Sequence, residues 1–125
     1  MSTPAAAALE SALDFGGIVL PPGAEVLGVL DQRGIDQLYA LAVALGPDTV
    51  DGLLRASGFG GELEPGRQVF LPPVPGFDPD RGTDIASAQD ALPAGRLRPA
   101  RVTREVLVDR SEPARPVAHL WFYTT

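Results

Sequence analysis

The amino-acid sequence predicts an α+β fold: a four-stranded, mostly antiparallel sheet with one or two helices on one face and a long loop rich in proline and glycine. Three observations predict it. β-Branched and aromatic residues fill 101–109 and 116–124, helical spacing marks 48–57, and turn residues crowd 60–100. A chain of 125 residues fits one domain with its own core, so we expect a single domain over 1–125.

The first element is predicted to be a helix. Residues 4–14 combine alanines with Pro4 in the first turn, and Leu9 and Leu13 lie one turn apart on one side. Phe15 is followed by two glycines that end the helical pattern. We therefore expect residues 1–17 to form an N-terminal helix or arm.

Two strands and a second helix are predicted next. Residues 24–31 are rich in Val and Leu, and residues 36–45 alternate Leu and Val with Ala after a turn signal. The alanines of the second segment also permit a helix, although the alternation favours a strand. Residues 48–57 carry Val and Leu at helical spacing, and Gly58 is placed to cap that helix with a positive φ.

The region 60–100 is predicted to be a long excursion over the surface. It contains repeated Pro and Gly pairs, with a short extended piece expected over 68–71 and a helical turn over 83–91. The segments 101–109 and 116–124 then read as a hairpin of two strands. The last of these is apolar on both faces, which predicts a strand in the middle of the sheet.

The composition favours a cytoplasmic protein that does not bind nucleic acid. The net charge is −6, there are no cysteines, and all ten basic residues are arginines. A negative chain lacks the field needed for phosphate backbones, and the absence of Cys excludes disulfides and thiolate sites. The N-terminus shows neither a signal peptide nor a membrane-spanning run, so we expect no membrane association.

The charge is unevenly distributed along the chain. Residues 1–64 carry nine acidic residues against two arginines, whereas residues 65–125 carry eight arginines against seven acids. The acidic half is suited either to solvation or to binding a basic partner.

Short motifs resemble those of a group of bacterial proteins. The stretches Gly34-Ile35-Asp36-Gln37-Leu38-Tyr39 and Ala56-Ser57-Gly58-Phe59, with the ending His119-Leu120-Trp121-Phe122-Tyr123-Thr124-Thr125, resemble small uncharacterised actinobacterial proteins that close on an aromatic strand and Thr-Thr. The resemblance spans most of residues 18–125. It implies a lineage and no activity.

The residues offer little support for catalysis. His119 is the only histidine, no Gly-x-Ser-x-Gly motif accompanies a serine, and Asp78 to Asp84 departs from the calcium-loop pattern. Gly58 to Gly61 follows a predicted helix, whereas phosphate loops precede one. We predict no catalytic residue, metal or cofactor. Whether the protein is an enzyme stays open, and the sequence favours a protein that is not one.

Binding is the more promising interpretation. His119, Trp121 and Tyr123 share one face of the last strand, and Trp and Tyr are frequent at interface hot spots. An overlying loop would equally well explain that face. The other candidate binding residues are one tyrosine, one basic cluster and four acids: Tyr39; Arg96, Arg98, Arg101 and Arg104; Asp31, Asp36, Asp48 and Asp51. The arginines could bind an acidic group or pair with the acids of the chain itself.

Three functions follow from this, in order of preference. The first is a non-catalytic protein-interaction module of the immunity, inhibitor or adaptor type, engaging a basic protein partner. The second is a small-ligand-binding or enzymatic domain with a site between the sheet and the 60–100 loop, using His119, Tyr39 and the arginine cluster. The third is a subunit of a larger assembly, and a homo-oligomer is also compatible with the sequence.

Overall fold

The fold consists of one antiparallel sheet with helices on one face. The computed structural model describes residues 4–33, 37–66, 71, 74–77, 83–95 and 100–124. Within them lie two helices and six strands. These are α1 (Pro4–Gly16), β1 (Glu25–Arg33), β2 (Gln37–Ala44), α2 (Val50–Ala56), β3 (Glu64–Pro65), β4 (Ile85–Leu92), β5 (Val102–Asp109) and β6 (Val117–Thr124).

The α+β class is confirmed, but the expected number of strands was wrong. The sheet has six strands where the sequence predicted four, because β3 and β4 lie inside the region expected to be a long loop. The helical turn predicted over 83–91 is instead strand β4. Its small residues suit either conformation, and pairing with β5 at eight positions, from Ile85 to Leu92, decides it. The extended piece expected over 68–71 falls, except for Leu71, outside the described residues.

The order of the strands is β1-β2-β6-β5-β4-β3, and every neighbouring pair is antiparallel. β6 therefore lies between β2 and β5, as its apolar faces predicted. The chain makes a β1–β2 hairpin and a β4–β5 hairpin, and β6 joins the two. β1 and β3 form the two edges of the sheet.

The main hydrophobic core lies between the helices and one face of the sheet. α1 contributes Ala12 and α2 contributes Val50 and Leu53, all of them buried. They pack on alternate residues of the central strands, namely Tyr39, Leu41, Val43, Val106, Val108, Leu120 and Phe122. We call this side the helix face. Burial of these side chains, at roughly 1.5–3 kcal/mol each, is what holds the layers together.

The opposite side of the sheet, which we call the open face, has its own smaller core. Ala40, Leu107 and Trp121 are buried there beneath Val74, and Phe77 packs beside them. The contact is close at β1: a Cβ atom on Gly28 would lie 2.6 Å from Val74 Cγ1. A glycine at this position lets the segment around Val74 lie directly on the sheet.

The helix ends follow local sequence signals. α2 ends at Ala56, and Gly58 has a φ of 61°, the left-handed conformation expected of a glycine cap. Phe59 N then donates to Leu54 O at 2.9 Å, which satisfies a carbonyl of the last turn. No helix among the described residues is long and apolar enough to cross a membrane.

Candidate functional site

The face that carries His119, Trp121 and Tyr123 is partly covered. The rings of His119 and Trp121 lie nearly parallel, with centroids 6.2 Å apart, and the two residues are only 4% and 1% exposed. Val74 and Phe77 pack against the cluster that contains Trp121. The overlying segment therefore occupies the surface that Trp121 was expected to offer, and Tyr123 alone of the three remains half-exposed.

Tyr39 lies on the other side of the sheet. Its ring contacts Phe15 of α1, with centroids 5.3 Å apart, and it is buried in the helix-face core. Residues on opposite faces cannot line one pocket. The structure thus separates Tyr39 from His119, which the sequence had grouped as possible parts of one ligand site.

A buried carboxyl group lies beside Tyr123. Glu105 stands opposite Trp121 on β6 and Gln89 on β4, and it is 9% exposed. Burial raises the pKa of the Glu105 carboxyl, and the hydrogen bond that Tyr123 donates lowers it in part. Burial and the nearby Glu105 charge raise the pKa of Tyr123, whose hydroxyl also bonds to Gln89. Sequence analysis missed Glu105 and Gln89, because nothing local marks them.

The Arg104 side chain lies in the interior of the protein. The Arg104 side chain is fully buried, and its Cζ atom lies over the Phe59 ring, 5.0 Å from the ring centroid. All five N–H donors of the guanidinium make hydrogen bonds. The acceptors are Asp90 Oδ1 at 2.8 Å and Oδ2 at 2.6 Å, with the carbonyls of Gly16 at 3.0 Å, Ser57 at 2.9 Å and Gly58 at 3.2 Å. This arginine ties the ends of both helices to the sheet.

The remaining candidates lie on three different elements of the fold or next to them. Arg101 is exposed at the start of β5, and Asp48 and Asp51 are exposed at the beginning of α2. Asp31 is on β1, where its carboxylate accepts a hydrogen bond from Gln37 Nε2 at 2.9 Å. Arg96, Arg98 and Asp36 fall outside the described residues. Among those described, no group of three or more His, Asp or Glu side chains is placed to hold a metal ion.

The two edges of the sheet differ in length and chemistry. β3 is a two-residue strand made of Glu64 and Pro65. A charge, a proline and a short length are the usual features that prevent a sheet edge from pairing. β1 has nine residues, including the uncharged run from Val26 to Leu30, and pairs only with β2 among the described strands. Only the β1 edge therefore has the length to accept another strand.

Two hydrogen bonds donated by backbone N–H groups, one at each end of β2, indicate which groups of β2 face β6. Gln37 N donates to Thr124 Oγ1 at 3.3 Å, and Leu45 N donates to Pro116 O at 2.9 Å. Consecutive residues of a strand direct their N–H groups to opposite sides. It follows that the odd-numbered residues of β2 bond to β6 and the even-numbered ones bond to β1.

The same alternation identifies a residue of β1 whose backbone groups do not bond to β2. The even-numbered residues of β2 stand opposite Gln32, Leu30 and Gly28. Those β1 residues therefore bond to β2. Val29, which lies between Gly28 and Leu30, directs its backbone N–H and C=O away from β2, toward the outer side of the edge.

Comparisons with protein-family models, with curated proteins and with solved structures found no match to this chain.

Proposed function

We propose that the protein is a non-catalytic interaction module that binds an extended, basic segment of a protein partner as an additional strand along β1. The observation that carries the proposal is the outward direction of the Val29 backbone groups on a nine-residue edge. Main-chain hydrogen bonds of this kind supply affinity in strand addition, and alternate side chains supply specificity.

Charge favours a basic segment over an acidic one. Asp31 lies on β1 itself, and the neighbouring helix α1, which contacts β1, exposes Glu10 and Asp14. The whole chain has a net charge of −6. These carboxylates would attract a Lys- or Arg-containing segment and hold off acidic ones.

A random-peptide display library selected against the intact protein tests the proposal. We expect enriched peptides to alternate β-branched with polar residues and to contain an excess of Lys and Arg. In the wild-type complex, the amide of Val29 should become protected from hydrogen exchange. That protection identifies strand addition directly, because this amide does not bond to β2.

Two substitutions at one position separate the backbone from the side chain. Val29→Pro removes the outward N–H together with the side chain, whereas Val29→Thr changes the side chain alone. We expect Val29→Pro to weaken peptide binding about tenfold relative to Val29→Thr, the effect of one lost hydrogen bond. Circular dichroism checks that both variants fold. Peptides that bind Val29→Pro and Val29→Thr equally, or that leave the wild-type Val29 amide unprotected, would show the proposal to be wrong.

A further inference from the structure

A cleft lies on the open face at the end of the sheet where β1 begins. Its volume is about 250 Å³, and its floor is the row formed by neighbouring residues of β1, β2, β6 and β5. The wall is the turn between β5 and β6. The lining residues are Leu27, Ala44, Val117, Asp109, Ser111, Glu112 and Arg115.

A β-bulge in β1 shapes this cleft. The pairing of β1 with β2 shifts between Val26 and Gly28, so that Leu27 is an extra residue. Val26 packs with the helix-face core, whereas Leu27 packs on the open face, the side that also carries Gly28. Bulges commonly redirect a side chain in this way next to binding sites. Here the bulge places an apolar side chain of the edge strand in the cleft.

The acidic wall of the cleft is held in place by hydrogen bonds. Asp109 Oδ1 accepts from Ser111 N at 2.9 Å and from Ser111 Oγ at 2.5 Å, while Thr83 N donates to Ser111 Oγ at 2.7 Å. A carboxylate offers about four acceptor positions on its two oxygens. Asp109 therefore keeps acceptor capacity for a donor that enters the cleft.

An exposed ion pair lies at the rim. Arg115 Nη2 bonds to Glu25 Oε2, and both side chains are more than half exposed. Exposed pairs of this kind contribute little to stability, so Arg115 can give way to a competing cation. Glu25, Asp109 and Glu112 together outnumber the one arginine, which makes the cleft a place for a positive group.

We infer that this cleft binds the side chain of a lysine or arginine from the partner segment, where that segment passes the bulge of β1. The inference rests on the proposed function. It names the type of residue in the partner segment that makes binding to β1 specific. The aliphatic stem would lie on Leu27 and Val117, and the cationic head would bond to Asp109 and Glu112. Long basic side chains have this combination of an apolar stem and a charged end.

The cleft can be tested without a partner. Nα-acetylarginine amide is titrated into the labelled intact protein, with the uncharged norleucine analogue as the matched ligand, and amide shifts are followed by NMR. We expect the arginine derivative to shift Leu27, Asp109 and Val117 with millimolar affinity, and the norleucine derivative to bind at least about threefold more weakly. Equal affinity for the two ligands, or no shift in these residues, would overturn the inference.

Two variants give opposite expectations. Asp109→Asn keeps an acceptor for Ser111 but removes the charge, so the arginine derivative should bind about three- to fivefold more weakly. Arg115→Gln removes the competing cation at the rim, so the same ligand should bind more tightly. An unchanged affinity in both variants would contradict a charged site.

The outcomes also separate this inference from the proposed function. Peptides that protect the Val29 amide but show no preference for a basic residue near Leu27 would support strand addition and refute the specificity of the cleft. Arginine-amide binding in the cleft without any peptide on β1 would refute strand addition, and with it the partner segment assigned to the cleft.

Discussion

Arg104 and Asp90 stand directly opposite each other on β5 and β4 and form a two-point ion pair on the helix face. The arginine is fully buried, and Asp90 also accepts a hydrogen bond from Gly60 N at 2.9 Å. One ion pair thus connects a hairpin of the sheet with the loop that follows α2. Two carbonyls at the end of α2 and one at the end of α1 complete the set of acceptors around Arg104.

Replacing Arg104 should lower the free energy of unfolding more than replacing an exposed arginine. Arg104→Met leaves Asp90 and three carbonyls without their donor, so we expect the free energy of unfolding to fall by about 3–5 kcal/mol. Arg101→Met, at an exposed position immediately before β5, should change it by about 0.5 kcal/mol or less. Urea unfolding followed by circular dichroism measures both. Similar losses for the two variants would mean that Arg104 does not hold the helix ends.

Replacing a helical glycine by alanine should change the stability in opposite directions at two positions. A Cβ atom on Gly16 would lie 2.6 Å from ring atoms of Phe122, so Gly16→Ala should lower the free energy of unfolding by about 1–3 kcal/mol. A Cβ on Gly52 would meet nothing within 4 Å, and Gly52→Ala should raise it by about 0.5–1 kcal/mol. Thermal unfolding checks the pair, and a gain in stability at Gly16 would contradict the close packing of α1.

Glu105 should make stability depend on pH in the acidic range. Because burial raises its pKa above the ordinary 4.5, its stabilising contribution is present below that value and is lost as the pH rises through the folded-state pKa. We therefore expect Glu105→Gln to gain stability relative to the wild type between about pH 4 and pH 7. Glu112→Gln, an exposed control, should follow the wild type across that range. If the free energies of unfolding of Glu105→Gln and the wild type differ by the same amount at every pH, the pKa of Glu105 is not raised.

The alternation along β1 predicts a pattern of amide exchange. In the free protein, the amide of Val29 should exchange faster than those of Leu30 and Gln32, which bond to β2. Correspondingly, Leu30→Pro should destabilise the protein by at least about 1 kcal/mol more than Val29→Pro, because only Leu30→Pro breaks a hydrogen bond of the sheet. Hydrogen exchange by NMR and urea unfolding provide the two measurements. The reverse order of exchange would mean that the outward backbone groups belong to the other residues.

Strong periodic patterns in the sequence predicted their elements well. β2, α2, β5 and β6 were found where alternation or helical spacing indicated them, and the position of β6 within the sheet followed from its two apolar faces. β4 was missed because Ala86, Ser87 and Ala88 carry little conformational preference of their own. Its pairing with β5 is a tertiary effect that no local window contains.

The functional residues were harder to predict, because their roles depend on distant partners. The acceptors of Arg104 lie in three separate parts of the chain, so its burial could not be read from the cluster of neighbouring arginines. Likewise, a strand carries no local mark of being at an edge. The importance of Val29 follows only from the order of the strands and the direction of their hydrogen bonds.

The position of β6 has a consequence for how the protein is made. β1 with β2, and β4 with β5, can pair as soon as each hairpin has left the ribosome, because their strands are near one another in the chain. β6 is synthesised after all of them, yet among the described strands it is the one that joins the two hairpins. Until then the inner edges of β2 and β5 have no partner, and such edges attract other chains. The nascent protein is therefore most prone to aggregation immediately before residues 117–124 emerge, and a chaperone that shields β2 and β5 would act in that interval.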